Sequence, residues 1–226
     1  MYPVIKERKQ LEEYLEKVGF LPLFEGGIPG YSVEAMTSPS AWWKDDHPQS
    51  DPWEWRKEIA AEGKILYGKL FQKKAAFVSP KWYPVLANYR RDGYDFDARY
   101  EDGLASAREK HIMDLFLDRE TLLPGYLIKA RAGFGKNGDK GFEGVLAGLQ
   151  MKCYLVNRKM EQKISSKGEP YGWPVSFYSV PEALLGASFL EESYKEDPKV
   201  SFGRLIEQLC RVTGVDEKTA KKFLKG

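Results

Sequence analysis

Residues 138–179 read GDKGFEGVLAGLQMKCYLVNRKMEQKISSKGEPYGWPVSFYS, and the change of periodicity inside this stretch decides the fold. Phe142, Val145, Leu146, Leu149 and Cys153 fall at i, i+3, i+4, i+7 and i+11, which predicts a short helix with one buried stripe. Asp139 precedes it as an N-cap, its carboxylate placed to accept a first-turn N–H. Lys140, Glu143, Gln150 and Lys152 lie off the stripe, and the spacing predicts that they face solvent or a ligand. After Lys152 the period changes. Residues 154–164 and 173–179 read as strands joined by Ser165-Ser166-Lys167-Gly168-Glu169-Pro170, a turn composition. A helix leading into a hairpin matches the recognition helix (139–152) and wing (154–179) of a winged-helix domain.

Such a domain needs two helices upstream, and the sequence supplies them. Leu104–Leu117 is amphipathic, with Leu104, the stem of Arg108, Ile112, Leu115 and Phe116 on one stripe. Leu122–Arg131 gives a second helix, weakened by Pro124-Gly125 near its start. The order helix, helix, helix, hairpin is that of a winged helix. The first half repeats the outline. In DPWEWRKEIAAEG (51–63), Asp51 is the N-cap, Pro52 suits the first helical position and Glu54 completes a capping-box pattern. Gly63 ends this helix. Residues 64–71 and 75–79 then form a hairpin around Gln72-Lys73-Lys74. A charged helix over 6–18 precedes them, and helices over 202–212 and 217–224 close the chain. We therefore expect an α+β protein of tandem winged-helix-like units: 1–98, then 99–186, with a helical extension over 187–226 packed on the core.

The chain has 226 residues, 42% of them hydrophobic and 14% aromatic, enough for a sizeable core. It contains no apolar run long enough to span a membrane, and its N-terminus lacks the apolar stretch of a secretory signal. Its two cysteines are too few for a disulfide framework, so we expect a cytoplasmic protein with reduced thiols. The net charge of +2 says little, but its distribution says more. Residues 129–167 carry nine basic side chains, Lys129, Arg131, Lys136, Lys140, Lys152, Arg158, Lys159, Lys163 and Lys167, against Asp139, Glu143 and Glu161. This excess coincides with the helix and hairpin and is the footprint of phosphate contact. The plainer reading is a solvated basic face.

Other motifs weigh less. Trp42, Trp43, Trp53 and Trp55 have the chemistry to stack on bases, though core filling is the favoured reading. Residues 88–103 place Asp92, Asp95, Asp97, Glu101 and Asp102 beside Arg90, Arg91 and Arg99. Carboxylates so clustered suit Mg²⁺, Ca²⁺ or acid–base work, but the internal arginines favour a salt-bridged connector. Gly133-Phe134-Gly135-Lys136-Asn137-Gly138 matches GxGxxG without a preceding strand, so it reads as a turn whose N–H groups meet a phosphate. The two histidines, His47 and His111, have no nucleophile motif around them. With two scattered cysteines they form no zinc pattern. No metal or organic cofactor is expected.

The segments DPWEWRKEIAAEGKILYGKLF (51–71), NYRRDGYDFDARYEDG (88–103), GFGKNGDKGFEGVLAGLQMKCYLV (133–156) and YGWPVSFYSVPE (171–182) together resemble a bacterial family called AlkZ-related proteins. The resemblance covers most of the chain. A more distant likeness leads to the AlkZ/YcaQ DNA glycosylases, tandem winged-helix repair enzymes. Those enzymes excise alkylated or crosslinked bases with a Gln-apolar-Gln or Gln-apolar-Asp motif that positions the attacking water. The local counterpart is Gln150-Met151-Lys152: Gln150 matches the first position and Lys152 departs from the second. What the resemblance implies is thus a fold and an association with double-stranded DNA more than catalysis. Three functions stand: DNA binding through 139–152 and 154–179; base excision using Gln150 with an acid of the 92–102 cluster; and a non-enzymatic module that docks protein.

Overall fold

A computed structural model describes residues 2–44 and 46–225, apart from the side chains of residues 187 and 190. The first half runs α1 (Arg8–Val18), β1 (Phe20–Pro22), α2 (Val33–Met36), α3 (Pro52–Glu62), β2 (Leu66–Phe71) and β3 (Lys74–Val78). Helices α4 (Tyr83–Arg91) and α5 (Phe96–Glu101) lead onward. The second half runs α6 (Ala107–Met113), β4 (Leu123–Pro124), α7 (Gly125–Arg131), α8 (Phe142–Met151), β5 (Val156–Ile164) and β6 (Pro170–Ser179). Four helices follow: α9 (Glu182–Leu185), α10 (Ala187–Ser193), α11 (Pro198–Thr213) and α12 (Glu217–Lys225).

Local chemistry sets many of these boundaries. Asp51 accepts the Trp53 N–H at 2.8 Å, Pro52 stands at the first helical position, and Gly63 closes α3 at φ 70°. Glu54 pairs with Lys57. A reciprocal capping box forms at α6, between Ser106 and Glu109. Because that helix starts after Ser106, Leu104 stays outside the predicted stripe and is 50% exposed. The expected cap of α8 is also corrected. Gly141 at φ 81° precedes the helix, with no side-chain cap. Asp139 turns away to face His111 Nδ1 at 3.7 Å.

All six strands form one antiparallel sheet in the order β1-β3-β2-β5-β6-β4. Each half contributes a hairpin whose second strand also pairs with the short strand preceding it, β1 with β3 and β4 with β6. The halves meet at β2 and β5 through the pair Tyr67↔Asn157. Across this seam the helices exchange partners: α3 packs on β5, and α8 packs on β2. Two apolar cores result. One gathers Leu15, Phe20, Trp55, Phe77 and Leu86 with Leu205, Leu209 and Phe223 of the C-terminal helices. The other gathers Ile112, Phe116, Phe142, Leu146, Leu149 and Tyr154. Each such side chain, once buried, stabilises the fold by about 1.5–3 kcal/mol.

Two consecutive arginines at the end of α4 join the halves. Arg90 donates to Met151 O at 2.9 Å and to Leu224 O at 2.7 Å, satisfying carbonyls at the ends of α8 and α12. Arg91, 2% exposed, donates to Glu182 Oε1 at 2.9 Å and to Cys153 O at 2.8 Å. The segment expected to be a salt-bridged connector thus works mainly through arginine-to-carbonyl bonds and one buried ion pair.

Candidate nucleic-acid interface

The nine basic residues of 129–167 divide cleanly. Lys129, Arg131, Lys136, Lys140, Lys163 and Lys167 are exposed and belong to no ion pair among the described residues. The other three are half-buried and committed elsewhere. Lys152 pairs with Glu109. Burial pushes the Glu109 carboxyl up, but Lys152 and the Ser106 N–H outweigh it and hold the group below its ordinary range. Arg158 donates to Ala60 O at 2.9 Å and Ala61 O at 2.6 Å, capping the end of α3. Lys159 pairs with Glu161 at 2.6 Å and lies 4.8 Å from the centre of the Phe177 ring. The expectation that all nine face a phosphate backbone is corrected for these three.

Of the exposed six, Lys129, Lys136 and Lys140 line one cleft and Lys163 stands beside Tyr126 of α7, with Arg131 and Lys167 at the end of α7 and in the turn of the second hairpin. Helix α7 carries Lys129 and Arg131, and the loop after it carries Lys136 and Lys140. That loop folds back on itself through a bridge between Phe134 and Asp139. A Cβ on Gly138 would stand 2.1 Å from Gly133 O, so only glycine fits there. Between loop and helix is an open cleft of about 410 Å³, lined by Lys129, Lys136, Lys140 and Glu143. A second cleft of about 310 Å³, sharing Lys129, Phe142 and Glu143, continues past Tyr126 to Val175, Ser176 and Tyr178 of β6.

The hairpin beyond carries the exposed apolar groups. Strand alternation places Val175 and Phe177 on one face of β6, and the register shifts between Val175 and Tyr171, where Gly172 stands at φ 68°. Trp173 is 79% exposed, and Tyr126, Ile164 and Tyr171 are also exposed. Lys163 stands opposite Tyr171 in the ladder, its Nζ 5.8 Å from the Tyr126 ring centre. Unpaired cations beside free aromatic faces are the side chains that meet phosphates and bases. A count of cations does not contain these aromatics, whose signal is the run YGWPVSFY at 171–178.

Gln150 lies elsewhere. It is 2% exposed, because α8 is covered on a second side by β2. Its Oε1 accepts the Lys69 N–H at 3.0 Å, and its Nε2 donates to Leu146 O at 3.2 Å. It closes the ladder of β2 where β5 diverges. A Cβ on Gly68 would stand 3.0 Å from that oxygen. Both ends of the amide are occupied, so the predicted exposure of Gln150 is wrong and its water-positioning role has no support. We expect Gln150→Leu to cost about 1–3 kcal/mol of stability by stranding the Lys69 N–H. Urea unfolding measures this, and an effect below about 0.5 kcal/mol would contradict the assignment.

The 92–102 carboxylates serve local structure. Asp95 caps α5 through the Ala98 N–H at 2.8 Å, and Asp97 lies 3.7 Å from Lys110. Asp92, at φ 54°, ends α4, and Asp102 ends α5. Among the described residues no group of three acidic, histidine or cysteine side chains is arranged to hold a metal ion. Of the tryptophans, Trp42 and Trp55 are buried, and Arg56 lies 3.5 Å over the Trp53 ring. Trp43 is 62% exposed at φ 58°.

A single antiparallel sheet and two helix–hairpin halves, the second carrying exposed unpaired cations, define an α+β protein. A family model described as AlkZ related matches residues 5–225, and the chain belongs to that family. Neither the curated proteins nor the solved structures give a match. No described helix is long and apolar enough to cross a membrane.

Proposed function

We propose that this protein binds duplex DNA, through the phosphates, with Lys129, Arg131, Lys136, Lys140, Lys163 and Lys167. The observation that carries this reading is the division of the nine cations: the six along α7, its loop and the second hairpin are free, and the others are spent internally. The order of elements supports a tandem winged-helix arrangement. Helix, short strand, two helices and hairpin occur as α1-β1-α2-α3-β2-β3 and again as α6-β4-α7-α8-β5-β6. In each half the short strand pairs with the last one. Because α3 and α8 are packed against the opposite half, the hairpins rather than the third helices face the partner. Base excision loses the one residue that favoured it, since Gln150 is enclosed. Family membership favours a DNA-repair setting.

The test is a salt series of binding to a labelled duplex, read by fluorescence anisotropy. Full engagement of the six cations gives a slope of log K against log salt of roughly −5, and engagement of half of them about −3. An affinity indifferent to salt, or no affinity at all, overturns the reading and returns the hairpin to a protein-docking role.

A further inference from the structure

The first hairpin carries a basic cluster that the DNA reading leaves unused. Strands β2 and β5 are antiparallel neighbours, so the two hairpins leave the seam in opposite directions. Phe71 lies four residues beyond Tyr67, and Ile164 lies seven beyond Asn157. At 3.4 Å per residue, and allowing for the bulge in each strand, the two turns stand about 31–37 Å apart.

The turn of the first hairpin is built in a demanding way. Gln72 and Lys73 have φ of 51° and 57°. Two-residue turns with both central residues left-handed ordinarily take Asn and Gly, which tolerate that conformation at little cost. Here the positions hold long polar side chains, and Lys73 and Lys74 are exposed. Helix α12 lies alongside: Phe71 and Phe223 stack with centroids 5.0 Å apart, and a Cβ on Gly27 would touch both Gln72 and Phe223. This helix brings Lys222 and Lys225, both exposed. Lys221 is paired with Glu217 at 2.8 Å. Lys73, Lys74, Lys222 and Lys225 belong to no ion pair among the described residues. Lys74 Nζ reaches only a backbone carbonyl, Glu25 O at 3.4 Å, and Lys225 only the Phe202 ring.

We propose that the first hairpin's turn and the end of α12 form a second phosphate-binding site, engaging the same duplex about one helical turn from the second hairpin. The spacing and the sign of charge carry the inference. One turn of B-DNA advances about 34–36 Å, close to the separation of the two turns, and both turns are flanked by unpaired lysines. The inference rests on the DNA reading above and adds a footprint length to it.

The test pairs a charge-reversed protein with duplexes of two lengths. A duplex of about 24 base pairs spans both sites, whereas one of about 8 base pairs, near 27 Å, cannot. On the long duplex, Lys73→Glu/Lys74→Glu/Lys222→Glu is expected to flatten the salt slope by about 2–3 relative to wild type. On the short duplex, wild type should show a slope as shallow as that of the variant on the long one. The glutamine version of the same triple carries the comparison should the glutamate version fail to fold. A wild type with a steep slope on both duplexes, matched by the variant, overturns the second site and leaves the first intact. A wild type that binds neither duplex removes the DNA reading itself.

Discussion

Arg91→Met will lower the unfolding free energy by about 3–5 kcal/mol. The guanidinium is 2% exposed and sits between the two cores. Burial opposes its charge, but Glu182 and the Tyr194 hydroxyl outweigh that penalty and hold its pKa above the ordinary value. Its second nitrogen donates to Cys153 O at 2.8 Å, just where the chain leaves α8 for β5. Methionine keeps much of the volume but leaves the Glu182 carboxylate without its cation and a carbonyl without its donor. Such half-removed pairs cost more than the intact pair contributes. Arg91→Met/Glu182→Leu should therefore recover part of the loss, because it removes the stranded charge as well. Urea unfolding of the three proteins decides the matter. A loss under about 1 kcal/mol for the single variant, as for an exposed pair, would mean that the two cores do not depend on this contact.

Lys136→Glu/Lys140→Glu/Lys163→Glu will flatten the salt dependence of duplex binding by roughly 2–3 in log–log slope, each lost cation accounting for about one released counterion. The three positions sample the loop before α8 and the second hairpin, so the loss tests both segments. Lys159→Gln is the control. Its ammonium is already held by Glu161 at 2.6 Å and by the Phe177 ring, and its removal should change the slope by well under one unit. Equal slopes for wild type and the triple variant would place any nucleic-acid contact elsewhere on the molecule.

Much of the fold was legible because helix ends and hairpin turns are written in short runs. Asp51, Pro52 and Gly63 bound α3 in the structure as their chemistry predicts. The hairpins around Gln72-Lys73-Lys74 and Ser165–Pro170 also form where the period of two and the turn residues place them. The site was less legible, for two physical reasons. A periodic stripe marks the face a helix turns to its own core, and α8 has a second buried face against a strand some eighty residues earlier in the chain. A signal for this was present: FEGVLAGLQM holds one charge in ten residues, and a helix so poor in charge is enclosed on more than one side. Charge counting fails for a different reason. It treats each lysine and arginine as free, whereas the carboxylate that pairs with Lys152 and the carbonyls that accept from Arg158 come from α6 and α3, far away in sequence.

The most direct measurement is lysine-acetylation footprinting of the protein with and without a duplex of about 24 base pairs, read by mass spectrometry. The exposed lysines of the second half, Lys129, Lys136, Lys140, Lys163 and Lys167, should lose reactivity when DNA is bound. Lys9 and Lys195, exposed on α1 and after α10, should react equally in both states. Protection of these five, with Lys9 and Lys195 unprotected, is the predicted result. Unchanged reactivity at all five, with DNA present at saturating concentration, would contradict the assignment of this face.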